Sequence, residues 1–438
     1  MCPYGGVDAG DRHEASTLTR LGESIDIRNT ESHGLTAFEQ TTPMRATKSK
    51  IKHAILYPEE EIRLCMVQYF SDARCKDETI MPLVIEAVEK FGRDTAFRIL
   101  RDAEHLAQTE ATVDWLISEL QRNYDFDDLV QDNYRYAVAG ILHNAPEPIF
   151  RKRLNDIFTA PAFPERLREP FSERLDRFSW DWDRAWKALK HFGADTMRRR
   201  GNFSRNDIGW AAGIVEALAR HRKKKANVVL ALLEGQYGDE DDALMNWLRP
   251  CLVDVAGVMR IVEAVPLLMD FMSDEAELNM SDSAARALQR IGGNVVVSEI
   301  DARWWHSGEE FRRSAACILD HLRGDLCVER SLTFFGAEAN HETQLILADA
   351  LLGNFSEEAI DLIWKFAADI DEEELQPDER DLRYRLVAVC TIMGRTFPQF
   401  EEWRRAALRD NWGRFGLQPG RVADTFKPDL PGPNRSMN

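Results

Sequence analysis

The sequence predicts an all-α chain built as an α-solenoid of stacked antiparallel helix pairs, divided into two lobes. Three observations carry that expectation. Apolar residues recur at helical spacing from Pro58 onward, strand-like runs are nearly missing, and one local pattern returns several times along the 438 residues.

The helical spacing shows in Ala111 to Leu120, where Val113, Leu116, Ile117 and Leu120 fall at i, i+3, i+4 and i+7 and share one face. Phe97, Leu100, Ala103 and Leu106 or Ala107 repeat it. Ser356 ahead of Glu357 and Glu358 reads as a helix start, with a capping hydroxyl and then negative charge at the positive end of the helix dipole. Gly92, Gly292 and Gly353 close apolar runs and read as stops. Only Val295 to Ile300 has the β-branched density of a strand, and a helix following Gly293 explains that run equally well.

The returning pattern is an acidic pair, a large apolar residue and Arg, followed by small and apolar residues at helical spacing. Glu60-Glu61-Ile62-Arg63 leads to Val67 and Phe70, and Glu309-Glu310-Phe311-Arg312 leads to Ala315, Ala316, Ile318 and Leu319. Between them lies Ser283-Ala-Ala-Arg-Ala-Leu-Gln-Arg-Ile-Gly292. These stretches resemble the HEAT-repeat family, in particular its short bacterial variety, whose second helix opens with an apolar-Arg pair and runs through Ala-Ala and Leu to Ile-Gly. Leu288, Leu319 and Leu351 follow at steps of 31 and 32 residues, the length of two short helices and two turns. The resemblance covers 205–370 well and 50–145 loosely. It implies helix pairs that bury one another's apolar faces and leave an extended concave surface.

Residues 1–45 are polar and show no sustained period, so they are expected as a disordered arm. Met44 opens a segment that runs straight into the first amphipathic stretch, which leaves both Met1 and Met44 as candidate translation starts. An N-terminal helical lobe is expected over 46–145. Pro146, Pro148, Pro161, Pro164 and Pro170 crowd into 146–171, expected as a connection, and the C-terminal repeat lobe follows over 172–415. The Pro-rich stretch 416–438 is expected as a disordered tail.

Charge and composition narrow the function. Lys and Arg number 56 against 74 acidic residues, a net charge of −18, which repels nucleic acid and anionic membrane unless charge is segregated and favours neutral or basic partners. No apolar run approaches the roughly 18 residues of a membrane span, and the opening stretch has no signal-peptide pattern, so a cytoplasmic protein is expected. Seven cysteines, an odd count without a C-x-x-C pair, fit neither a disulfide framework nor a zinc site. The ten histidines form no ligand pair at helical spacing. Deoxyhypusine hydroxylases, HEAT-type enzymes, need several His-Glu pairs, and only His13-Glu14 and His341-Glu342 occur. Phosphate-loop and nucleophile-elbow motifs are also missing. No metal, cofactor or catalytic residue is expected.

One segment reverses the charge. From Arg184 to Lys225 there are twelve Lys or Arg residues and three acids, Asp195, Asp207 and Glu216, a net +9. The candidate residues for an anion or partner are Arg198, Arg199, Arg200, Arg205, Arg222, Lys223, Lys224 and Lys225, with Trp182, Trp186 and Trp210 among them. Cations would contact phosphates and aromatic rings would stack on bases or cap an apolar ligand. The competing and favoured reading is that Trp182 and Trp186, at i and i+4, pack in the core while the basic groups close helix C-termini. DNA alkylation-repair glycosylases, also HEAT-like, are basic across their whole concave face, unlike this chain. The leading expectation is a non-enzymatic scaffold holding a protein partner, basic or extended, on the concave face. The alternatives are a nucleic-acid or phosphorylated-ligand binder working through 180–225, and a solenoid enzyme of unknown substrate.

Overall fold

The computed structural model describes residues 45–93, 96–199, 205–273, 278–370 and 375–409. The expected arm, apart from Arg45, and the expected tail lie outside them. Among the described residues there are helices and turns and no strand, with one isolated bridge between Arg45 and Ser356. The chain is all-α, as its periodicity predicts, and Val295 to Ile300 lie in a helix.

In chain order, α1 (Lys48–His53) and a 3-10 turn lead into α2 (Glu60–Asp72), α3 (Ile80–Phe91), α4 (Ala96–Asp102) and α5 (Glu110–Leu120). Next come α6 (Leu129–His143), α7 (Glu147–Thr159), α8 (Arg168–Arg177), α9 (Trp182–Arg199), α10 (Arg205–Ala219) and α11 (Arg222–Leu233). Then follow α12 (Asp242–Met259), α13 (Val265–Met272), α14 (Leu278–Ile291), α15 (Gly293–Trp304) and α16 (Glu309–His321). The last are α17 (Asp325–Ala337), α18 (His341–Gly353), α19 (Ile360–Ala368), α20 (Pro377–Met393) and α21 (Phe400–Arg409).

Even-numbered helices pack on one another from α2 to α6 and from α8 to α20 as an inner layer, and odd-numbered helices flank them. The composition of α2 shows why it belongs inside. From Glu61 to Phe70 only Cys65 and Gln68 escape burial, and Asp72 continues their stripe, so a helix apolar nearly all round keeps one narrow polar edge. The repeated leucines follow the same logic: Leu288, Leu319 and Leu351 are fully buried on α14, α16 and α18. Gly257 lets α12 and α14 close up, because a Cβ there would stand 2.6 Å from the Ala287 Cα.

The repeated Arg has a structural reason. Arg63 Nη1 donates to the Tyr57 and Pro58 carbonyls at 2.8 and 2.6 Å, and Arg312 Nη1 donates to the Ser307 carbonyl at 2.7 Å. Each guanidinium ties its helix to the turn that precedes it. Side-chain caps fix other starts, with Thr109 and Thr112 forming a capping box on α5, Asp241 capping α12 and Asn340 capping α18.

Two local expectations are corrected. The helix near Ser356 begins only at Ile360, and Ser356 is fully buried in the bridge to Arg45 instead of capping a helix. The stretch 146–171 holds α7 and the start of α8. Pro146 is the N-cap of α7, Pro148 sits in its first turn, Pro161 and Pro164 lie in the following turn, and Pro170 enters the first turn of α8. Proline's fixed φ and missing N–H suit helix starts, so this density punctuates helices without ending the packing.

The inner layer closes on itself. α2 packs against α20, although some 300 residues separate them in the chain, and the Tyr69 ring meets Phe355 at 5.5 Å. Arg45 donates to the Asn354 carbonyl at 3.0 Å and pairs with Asp325 at 2.9 Å. Arg404 reaches Glu59 at 3.0 Å, and Arg323 reaches Asp72 at 3.5 Å. On the other side Arg174 of α8 donates to the His143 and Ala145 carbonyls at the end of α6 and pairs with Glu216 of α10. The inner layer of helices therefore becomes the wall of a closed ring.

Candidate anion-binding site

The inner helices run in one sense, so their C-terminal ends gather at one mouth of the ring. A pocket of about 400 Å³ opens there, at the ends of α2, α4, α10, α12 and α14. That volume suits a small-molecule ligand. Arg74 and Lys76 enter it from the turn after α2, His105 from the turn after α4, Arg222 from the start of α11, Arg260 from the cap of α12 and Arg290 from the last turn of α14. Among the described residues the lining carries five Lys or Arg side chains and no carboxylate.

The charges are poorly compensated. Arg74, Lys76 and Arg260 make no side-chain hydrogen bond or ion pair among the described residues, and Arg222 Nη2 donates to a neutral acceptor, the Arg260 carbonyl, at 3.2 Å. Arg290 alone meets a carboxylate, Asp254 at 3.1 Å, which Arg286 also approaches at 3.7 Å. Each helix C-terminus supplies about half a negative charge, which offsets part of this field. Burial lowers the Arg74 pKa, and the Arg290 and Arg260 cations lower it further with no carboxylate opposing them. Guanidinium stays protonated regardless, so the mouth holds like charges face to face. Burial lowers the His105 pKa too; Glu104 opposes the shift, while Arg74 and Arg290 reinforce it.

Backbone strain collects at the same place. Three non-glycine residues among those described have positive φ, and two of them, Arg74 at 44° and Arg260 at 53°, line this pocket. A helix commonly ends on a left-handed residue, usually Gly, because a Cβ there costs about 1–2 kcal/mol. Arg at both positions is the costlier choice, and it aims both guanidinium groups at the mouth. Strain at a ligand-facing cluster fits a binding site.

The basic-aromatic segment is placed differently. Trp182 is buried and stacks on Trp186 with centroids 6.1 Å apart, and the Trp186 Nε1 donates to Glu240 at 3.2 Å. Trp210 is half-buried, edge-on to Trp180 at 6.3 Å. Arg199 pairs with Asp207 at 2.8 Å and Asp195 at 3.4 Å, and Arg198 approaches Asp195 at 3.7 Å. Lys225 stands over the Trp182 ring at 5.3 Å, and Lys223 and Lys224 point into solvent. Arg200 lies outside the described residues, and so does the Arg205 side chain. Of the candidates among the described residues, Arg222 alone lines the mouth pocket.

Sequence reasoning missed Arg74, Lys76, His105, Arg260 and Arg290. Arg74 and Lys76 share the turn after α2, the others stand singly at the ends of α4, α12 and α14, and the visible signal was only that Arg replaces Gly after α2 and α12. Deeper along the axis a second cluster joins α18 to α20. Arg385 pairs with Asp349 at 3.2 Å and approaches Asp320 at 4.0 Å, while burial raises the Asp349 pKa against the pull of Arg385 and pushes Cys65 up to about 11. A thiol held protonated in this way is a poor nucleophile. No group of His, Cys, Asp and Glu among the described residues has the arrangement of a metal site. No family model matches the chain, and no curated protein does.

Proposed function

We propose that the protein binds a phosphorylated ligand non-covalently in the pocket at the mouth of its ring. The observation that carries this reading is the set of five Lys or Arg side chains lining one cavity with no lining carboxylate, in a chain of net charge −18. Arg74, Lys76 and Arg222 are exposed and Arg260 and Arg290 half-buried, so an anion can reach all five, and charge-assisted hydrogen bonds are roughly twice as strong as neutral ones. Titration calorimetry of the full chain with inorganic phosphate and pyrophosphate tests it. Binding that weakens steeply with salt and vanishes in an Arg74→Glu/Arg260→Glu variant supports the reading. No heat with either anion at low ionic strength overturns it.

A second reading keeps a protein-binding role on a HEAT-like array. Phe126, Leu129 and Val130 are exposed beside Asp125 and Asp127 at the start of α6, a small apolar patch with an acidic rim that suits a basic, amphipathic segment. A pull-down at low and moderate salt, compared with a Phe126→Ser/Leu129→Ser variant, tests it; retention of the same proteins by both forms counts against the patch. No helix among the described residues is long and apolar enough to cross a membrane. The six described cysteines are free thiols, which suits a cytoplasmic setting.

A further inference from the structure

We infer that the ligand of the mouth pocket is a compact organic diphosphate: two linked phosphates on a small body that is apolar or aromatic. The inference rests on the anion-binding reading above and adds the ligand's charge, size and shape to it.

Charge comes first. Arg74, Lys76, Arg222 and Arg260 have no carboxylate partner among the described residues, whereas Arg290 shares Asp254 with Arg286. Four uncompensated cations, less roughly half a charge at each of the five helix ends around the pocket, leave a surplus of about 1.5 to 2. A single phosphate brings about 1.5 to 2 negative charges, and a second linked phosphate adds about one more. Net charge therefore admits one phosphate or two, and position and space decide between them.

Position favours two phosphates. The cations approach from two separate arcs of the ring, Arg74 and Lys76 from the turn after α2 and Arg222, Arg260 and Arg290 from α11, α12 and α14. An anion with two phosphoryl centres answers both arcs at once. The cavity, at about 400 Å³, has the volume of roughly a dozen water molecules. A phosphate with five heavy atoms leaves most of that space unfilled. Ala107, Ala219 and Val258 complete the wall, and Val258 is 37% exposed, so the remaining space has an apolar side suited to the organic part of a phosphate ester.

The test is a ligand series on the full chain at fixed low salt: inorganic phosphate, pyrophosphate, adenosine diphosphate, geranyl diphosphate and a single-stranded oligonucleotide. Pyrophosphate is expected to bind at least about tenfold tighter than phosphate, a difference of about 1.4 kcal/mol, and one of the two organic diphosphates tighter again. Adenosine and geranyl bodies separate an aromatic from an aliphatic preference. Val258→Ser should weaken that organic diphosphate about threefold more than it weakens pyrophosphate. Equal affinity for phosphate and pyrophosphate, or an oligonucleotide that outcompetes every small anion, overturns this inference while leaving anion binding intact. Absence of binding by every anion removes the underlying reading instead.

Discussion

Two regions of this molecule carry concentrated positive charge, and they treat it in opposite ways. Along α9 and the start of α11 the cations follow one another in the chain, yet Arg198 and Arg199 are answered by Asp195 and Asp207, and Lys225 lies against a buried Trp. At the mouth of the ring the cations come in ones and twos from distant helices and meet one another across a cavity, with Asp254 the sole carboxylate paired to any of them among the described residues. Charge density along the chain is therefore a poor guide to an anion site. A site needs cations that converge without partners, and convergence is a property of the closed ring.

That contrast breaks first at the tryptophans. If the α9 segment is core, Trp182→Ala should cost about 3–5 kcal/mol and lower the thermal midpoint sharply, because it empties a buried site stacked on Trp186. A thermal midpoint unchanged by the substitution would return the ring to the surface and revive 180–225 as a binding segment.

The second test exchanges charge in both regions. Arg74→Glu/Arg260→Glu should weaken pyrophosphate binding at least a hundredfold, about 2.7 kcal/mol, whereas Lys223→Glu/Lys224→Glu should change it less than about threefold, since those side chains do not line the pocket. Comparable losses from both pairs, measured by calorimetry, would mean that long-range field and not the pocket holds the anion.

The fold was legible where it depends on local pattern. Helical spacing marks inner α4 and outer α5 alike, the 31- and 32-residue steps and the acidic-apolar-Arg pattern fall on inner helices, and Arg63 and Arg312 tie their helices to the preceding turns. Closure was not legible. Arg45 with Asn354, Tyr69 with Phe355 and Arg404 with Glu59 are pairs some 300 residues apart, and no local periodicity encodes them. The candidate site inherits that difficulty, because Arg74, His105, Arg260 and Arg290 become neighbours only once the ring is closed.

His105 sharpens the comparison further, since it adds a titrating group to the mouth. In the free protein burial lowers its pKa, with Arg74 and Arg290 adding to the effect against Glu104 and Asp72. A bound anion cancels part of the cationic field, so the histidine pKa rises and binding takes up a proton. Affinity must then increase as pH falls from about 7.5 to about 5.5, by roughly threefold. Sulfate is the suitable probe because its charge is constant over that range. His105→Gln should flatten the profile; a slope that survives the substitution assigns the proton elsewhere.

The smallest effect concerns what the site costs the fold. Arg260 holds a left-handed cap at φ 53°, where glycine is unstrained. Relief of about 1–2 kcal/mol of strain in Arg260→Gly is partly offset by the greater freedom of glycine in the unfolded chain, about 0.5–1 kcal/mol, so the net gain is at most about 1.5 kcal/mol. The Arg222 bond to the residue 260 carbonyl survives the change. A variant that melts slightly higher and binds pyrophosphate about tenfold more weakly would show that this position trades stability for ligand. If stability falls instead, the Arg260 side chain is holding the ring together and its place in the pocket is incidental.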